Sequence, residues 1–132
     1  MSNIISFTLL YDKQILPGFV GGWGLSLSIK FTNKVILFDT GWNGEILLSN
    51  ISRVKIDLEE INHIFLSHFH WDHIGGLIYI LNQKLKNLDS IIVPQSFSDH
   101  FKRELRYFAQ VIEIKKLIIL LNYILKFGQQ GN

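Results

Sequence analysis

"INHIFLSHFHWDHIGGL", Ile61 to Leu77, is the stretch on which the reading of this chain turns. Ile61 to Leu66 is short and nearly all apolar, the pattern of a buried strand, and it delivers the chain directly into Ser67 and His68. Of the five histidines in the sequence, three fall between His68 and His73, with Asp72 among them. In His68-x-His70-x-Asp72-His73, a turn after the strand end lets His68 and His70 point to one centre while Asp72 and His73 point to another beside it. Imidazole and carboxylate donors suit zinc, and also iron or manganese, at hydrolytic or redox sites. Gly75 and Gly76 let the following helix start close against the site, where a larger residue would crowd the metal.

Upstream, Ile4 to Tyr11 reads as a strand, followed by a glycine-rich loop through Gly24. Leu25 to Phe31 alternates apolar and polar residues, so its odd positions should face inward. Thr32-Asn33-Lys34 is turn chemistry, and Val35 to Phe38 completes a hairpin that runs into Asp39-Thr40-Gly41. Asn43 can cap a helix over Gly44 to about Arg53, and Asp57 to Glu60 reads as a helical turn. Downstream, a helix is expected over Ile74 to Asn82, a strand over Ser90 to Pro94, an amphipathic helix over Ser96 to Gln110 capped at Ser96, and a strand over Val111 to Ile114. Hairpin strands followed by strands alternating with helices describe an α/β or α+β layered domain.

The length of 132 residues allows one core, and 48% hydrophobic residues with mean hydropathy +0.23 make the chain globular and rather apolar. Thirteen basic against eleven acidic residues give a net charge of +2 without a run of like charge, which argues against a nucleic-acid partner. With no cysteine, disulfides, thiolate-bound zinc and thiol nucleophiles are excluded, and any metal must be held by histidine and carboxylate. The N-terminus lacks the pattern of a signal peptide, and the apolar run Leu117 to Leu125 is too short to span a bilayer, so the chain reads as cytoplasmic with no membrane partner.

"LFDTG" (Leu37 to Gly41), followed after a helix by "HIFLSHFHWDHIGGL", resembles the metallo-β-lactamase-fold hydrolase superfamily. "GLSLSIKFTNKVILFDTG" and "VKIDLEEINHIFLSHFHWDHIGGL" are most similar to its dihydropteroate or methanopterin-pathway phosphate synthase-like branch, and the likeness runs from about residue 4 to 116. The resemblance implies an αββα sandwich, of which this chain would supply the N-terminal half: one mixed sheet with flanking helices, a single partial domain over residues 1–132. It makes His68 and His70 ligands of a first metal and Asp72 and His73 ligands of a second, one or two ions of Zn²⁺ in all. Asp72 would also position the attacking water, and Asp39 would stand behind the ligand loop and orient it.

The departures from the family pattern set further expectations. Phe69 stands where a small residue is usual, and with Trp71 beside it the floor of the site should be more apolar than in relatives. Family members continue into a second half that brings a third histidine, a bridging aspartate and a final histidine, and the sequence after His73 offers only His100, in an amphipathic helix. Hydrolytic zinc takes about three protein ligands plus an open water position, and each metal finds two here. The chain therefore reads as a truncated metal-dependent hydrolase of ester or phosphoester bonds with a small-molecule substrate. It would be completed by a complementing C-terminal half; the alternative is a non-catalytic remnant that binds metal or associates as a homodimer. Leu25, Leu27, Ile29, Phe31, Ile36, Phe38, Ile64 and Leu66 are the candidates for the sheet face that such a partner would cover.

Overall fold

A computed structural model describes residues 5–54 and 56–115. Strands β1 (Ile5–Tyr11), β2 (Ser26–Phe31) and β3 (Lys34–Phe38) precede helix α1 (Gly44–Arg53). A 3-10 turn at Leu58–Glu60 leads into β4 (Ile61–Phe65), and two short helices follow, α2 (Trp71–Ile74) and α3 (Leu77–Leu81). Strand β5 (Ser90–Pro94), helix α4 (Asp99–Leu105) and strand β6 (Gln110–Ile114) complete the order. The six strands form one mixed sheet in sequence order, β1-β2-β3-β4-β5-β6. The first two pairings are antiparallel and the last three parallel, so each of the last three connections must cross over the sheet, and a helix makes each crossing. Successive right-handed crossovers moving in one direction place their helices on one face.

The two faces separate by residue parity. Val35 and Leu37, Ile64 and Leu66, and Ile91 and Val93 pack with Leu47, Ile51, Leu77, Ile80 and Leu105 of the helices. Their in-between neighbours Ile36, Phe65 and Ile92 join Ile29, Phe31 and Ile114 on the other face. Ile64 and Leu66 therefore lie on the helix-covered face, and not on the partner-facing sheet face for which the sequence made them candidates. A continuous apolar run carries no parity of its own, and the pairing Leu37↔Ile64 and Phe38↔Phe65 sets it instead. In β1 the register shifts between Leu9 and Tyr11, and the extra residue lets both Leu10 and Tyr11 reach the helix side.

The other elements expected within the described residues are present, with local differences. Asn43 caps α1 by accepting from the Glu45 and Ile46 amides, and Asp57 caps the 3-10 turn through the Glu59 amide. The even-numbered Ser26 and Ser28 of β2 are buried along with Ile29 and Phe31, so the strand has no simple polar face. The helix expected from Ile74 begins at Trp71 and breaks between Ile74 and Leu77, and the helix expected over Ser96 to Gln110 is confined to α4. Its cap is Ser98, whose hydroxyl accepts from the Phe101 amide, because Ser96 lies in the turn that Phe97 N closes on Pro94 O. Among the described residues no helix is long and apolar enough to cross a membrane; the run Leu117 to Leu125 lies outside them.

Candidate metal centre

The site forms where the parallel neighbours β3 and β4 end. Asp39, the residue after β3, has φ +57°, a conformation in which Asp is tolerated better than most side chains. It is fully buried; its amide donates to Phe65 O (2.8 Å), and its carbonyl accepts from Ser26 Oγ (2.7 Å). Both ends of the peptide are thus fixed, and the carboxylate is aimed across to the loop that leaves β4. There it accepts three hydrogen bonds: Ser67 N to Oδ1 (2.7 Å), Ser67 Oγ to Oδ2 (2.5 Å) and His73 Nδ1 to Oδ2 (2.7 Å). Burial pushes the Asp39 carboxyl above its ordinary value, against the pull of Ser67 and His73.

Proton bookkeeping assigns the imidazole tautomers. Ser67 has one hydroxyl proton, and with that proton on Asp39 its oxygen can only accept from His68 Nδ1, 2.8 Å away. His68 and His73 therefore both carry a proton on Nδ1, and the neutral form of each ring has its lone pair on Nε2. That is the arrangement a metal-binding histidine needs, with one ring nitrogen fixed by a hydrogen bond and the other bare. Burial, then the neighbouring His73, hold His68 below the ordinary imidazole value, so the neutral ligand form is favoured, with Asp39 and Asp72 pulling the other way.

Asp39, His68 and His73 offer ligand atoms within 4.8 Å of one another. The His68 and His73 rings are 4.1 Å apart between centroids, the His70 ring is 4.5 Å from His68, and Asp72 Oδ2 is 3.6 Å from His73 Nε2. Contact thus runs through all four residues of the motif. Asp39 already spends both oxygens on Ser67 and His73, so it anchors the loop and leaves the open donors to the histidines and Asp72. The donor set of imidazoles plus one partly exposed carboxylate fits a divalent ion of the zinc, iron or manganese type.

Three loops are sewn together around this group. His73 O accepts from both Thr40 N (2.7 Å) and Thr40 Oγ1 (2.8 Å), and Asp72 O accepts from Leu25 N (3.1 Å). The approach is close enough to demand glycine. A Cβ on Gly75 would lie 2.1 Å from Trp42 O, and one on Gly24, at φ +119°, would lie 2.0 Å from Asp72 O. The expectation that Gly75 keeps bulk away from a metal is thereby corrected: what it admits is the backbone of the β3–α1 loop.

His63 lies in β4 with Nδ1 2.6 Å from Ser90 Oγ, and His100 is exposed on α4; neither joins the group. Sequence reasoning missed Ser67 and Thr40. Their signal was available, since each is a small hydroxyl residue beside a ligand candidate or its anchor.

A family model described as the metallo-beta-lactamase superfamily matches residues 24–93, more than half of the chain. An uncharacterised protein of Methanocaldococcus jannaschii is 34% identical over 111 residues, which are 84% of this chain and 43% of that protein. The 7,8-dihydropterin-6-methyl-4-(beta-D-ribofuranosyl)-aminobenzene-5'-phosphate synthase of the same organism is 36% identical, over 79% of this chain and 37% of the synthase. Ribonuclease Z of Nanoarchaeum equitans is 36% identical, over 81% of this chain and 31% of the enzyme. The chain spans less than half the length of each. Among solved structures, a metal-dependent hydrolase of the beta-lactamase superfamily superposes with a TM-score of 0.56 at 25% identity, over 83% of this chain and 42% of the other. Human tRNase Z, short form, superposes at 0.60 over 85% of this chain and 44% of its own, and at 20% identity it shows the shared fold. The matched span holds the Asp39 anchor, the whole histidine loop and the glycines that let the loops close, and the chain belongs to the metallo-beta-lactamase superfamily.

Proposed function

We propose that this chain supplies the histidine-loop half of a zinc-dependent hydrolase that cleaves an ester or phosphoester bond in a small molecule. The observation that carries the reading is the Asp39 carboxylate, which holds His73 Nδ1 directly and His68 Nδ1 through Ser67 and so leaves Nε2 of each ring outside the anchor. In this assignment His68 and His70 hold one ion, and Asp72 and His73 hold a second. An ion bound there would supply Lewis-acid polarisation of the scissile group and acidify water. Asp39 keeps the proton on His73 Nδ1, Ser67 does the same for His68, and Asp72 accepts a hydrogen bond from the attacking water and orients it. Relatives named ribonuclease Z and phosphate synthase support a phosphorus-containing substrate class. The scattered charge of the chain, net +2, favours a small molecule over a nucleic acid.

Two donors per ion fall short of the about three protein ligands usual at hydrolytic zinc. The remainder comes from a complementing polypeptide segment. The second reading, a metal-binding module that associates with another copy, is favoured by Ile5, Phe7 and Leu9, which stand exposed on the sheet face away from the helices.

Calorimetric titration of the chain with Zn²⁺ tests the core of the proposal. Binding is expected to be lost in a His68→Ala, His73→Ala double variant, and equal binding by that variant would sink it. Hydrolysis of bis(4-nitrophenyl) phosphate, measured with and without a C-terminal segment from a relative, separates the two readings. Zinc binding with no restorable activity favours the association module.

A further inference from the structure

The chain has three tryptophans: Trp23 and Trp42 lie in two different loops, and Trp71 is the first residue of α2. The fold brings all three to one cleft of about 370 Å³, lined by Trp23, Trp42, Phe69, His70, Trp71 and Asp72. Its size falls within the about 300–1,000 Å³ typical of small-molecule sites. Trp23, Trp42 and Trp71 are 58%, 55% and 72% exposed, and Phe69 is 53% exposed. Exposed aromatic surface is unfavourable in water, and here four such side chains converge on two metal-ligand candidates.

Three of the four are held in place. Phe69 packs edge-on against Phe97 (5.6 Å, 89°) and Phe101 (5.1 Å, 85°), so its ring is braced by the start of α4. Lys13 Nζ sits 3.2 Å from the centroid of the Trp23 ring, covering one face with a cation. Trp42 is fixed through its backbone, because its carbonyl is the group that Gly75 approaches. A braced aromatic rim around imidazole and carboxylate donors is a recognition surface for a flat ring. Stacking needs only a π-face, and a pre-ordered wall loses little conformational entropy on binding.

We propose that Trp23, Trp42, Phe69 and Trp71 form a stacking rim that selects substrates carrying a planar aromatic or heteroaromatic ring next to the phosphoester. The proposal deepens the hydrolase reading above and rests on it for the position of the reacting group. The rim binds the ring, and the histidine loop receives the phosphoryl end.

The test compares 1-naphthyl phosphate with methyl phosphate, which carries the same charged group without a ring, on the full chain loaded with Zn²⁺. Binding is followed by calorimetry and by tryptophan fluorescence. The naphthyl compound is expected to bind at least about tenfold more tightly and to quench fluorescence, by the stacking contribution of an aromatic contact. Trp42→Leu and Trp23→Leu should each weaken it about five- to a hundredfold, while Trp42→Phe retains most of the affinity. Zinc affinity and the far-ultraviolet circular dichroism of these variants should match the parent chain. Equal binding of the two phosphates by the zinc-loaded chain, or Leu variants indistinguishable from the parent, would overturn the rim and leave the metal reading intact. Failure to bind zinc, with 1-naphthol still quenching in a Trp42-dependent way, would support the rim and remove the metal reading. Tighter binding of an oligouridylate than of 1-naphthyl phosphate would overturn the assignment to a small molecule.

Discussion

Asp39 shows how much one buried carboxylate can organise. It accepts from Ser67 N, Ser67 Oγ and His73 Nδ1, and so sets the proton positions on two imidazoles at once. Asp39→Asn tests that role more sharply than truncation does. Asn tolerates the positive φ and can still accept from the Ser67 amide, but its NH2 group would face the Nδ1 proton of His73, donor against donor. The escape is a tautomer switch at His73, which puts the proton on Nε2 and removes the lone pair. The expected outcome is a weakening of zinc binding by about 10- to 100-fold with a stability loss of about 1–3 kcal/mol. Nitrogen-15 chemical shifts of the His73 ring report the tautomer directly, and an unchanged Nδ1–H form in the Asn variant would refute this account. The sequence made His68, His70, Asp72 and His73 visible through spacing, and Asp39 only through resemblance. Ser67 stayed hidden because a serine has no preferred partner until a fold brings the carboxylate to it.

At the scale of elements, the strands were legible and the helix limits were not. β-Branched and aromatic runs bounded by turn residues marked β2 to β5 closely, since strand ends coincide with turn chemistry. Helix α2 was misplaced because its start at Trp71 is set by His73 O and Asp72 O docking on Thr40 and Leu25, contacts that local sequence does not encode. Lys102 gives a second example. It looks like a surface residue of an amphipathic helix, yet it is buried, with Nζ donating to Gln95 O (2.8 Å) and paired with Glu113, and so ties α4 to β6. The pairing holds the exposed Glu113 carboxyl below its usual range. The docking of α2 predicts a sharp glycine requirement. Gly75→Ala would place a Cβ 2.1 Å from Trp42 O and 2.6 Å from Trp71 O, both backbone atoms that cannot swing aside. Urea unfolding should show a loss of about 1–3 kcal/mol for Gly75→Ala. Ile78→Ala, at an exposed position of α3, should stay within about 0.5 kcal/mol of the parent, and equal effects of the two would contradict the close-approach argument.

At the scale of the molecule, the described residues build a sheet with two apolar faces. Helices cover one face, and the other carries Ile29, Phe31, Ile36, Phe65, Ile92 and Ile114, with Ile5, Phe7 and Leu9 of the edge strand β1 placed opposite Phe31, Ile29 and Leu27. Apolar content and alternation announced a second face, but its membership depended on register. His63 lies in β4, one of the two central strands of this sheet, with its ring against Ser90 of the neighbouring β5, and it links the stability of the molecule to pH. Burial lowers its pKa below the ordinary 6.5, with Asp89 pulling upward and Lys34 pushing down. Above that value both folded and unfolded chains hold the ring neutral, so the full stability is present. As pH falls through 6.5 the unfolded chain takes up a proton that the folded chain refuses, and stability is lost until the folded pKa is reached. His68 is shifted in the same direction and adds to the loss. His63→Asn keeps a hydrogen-bonding group toward Ser90 and removes the titration. Urea midpoints measured with a chelator present, at about pH 7.5 and about pH 5 on either side of the histidine range, should fall less in the variant than in the parent chain. Parallel falls in the two proteins would mean that His63 titrates alike in the folded and unfolded chains.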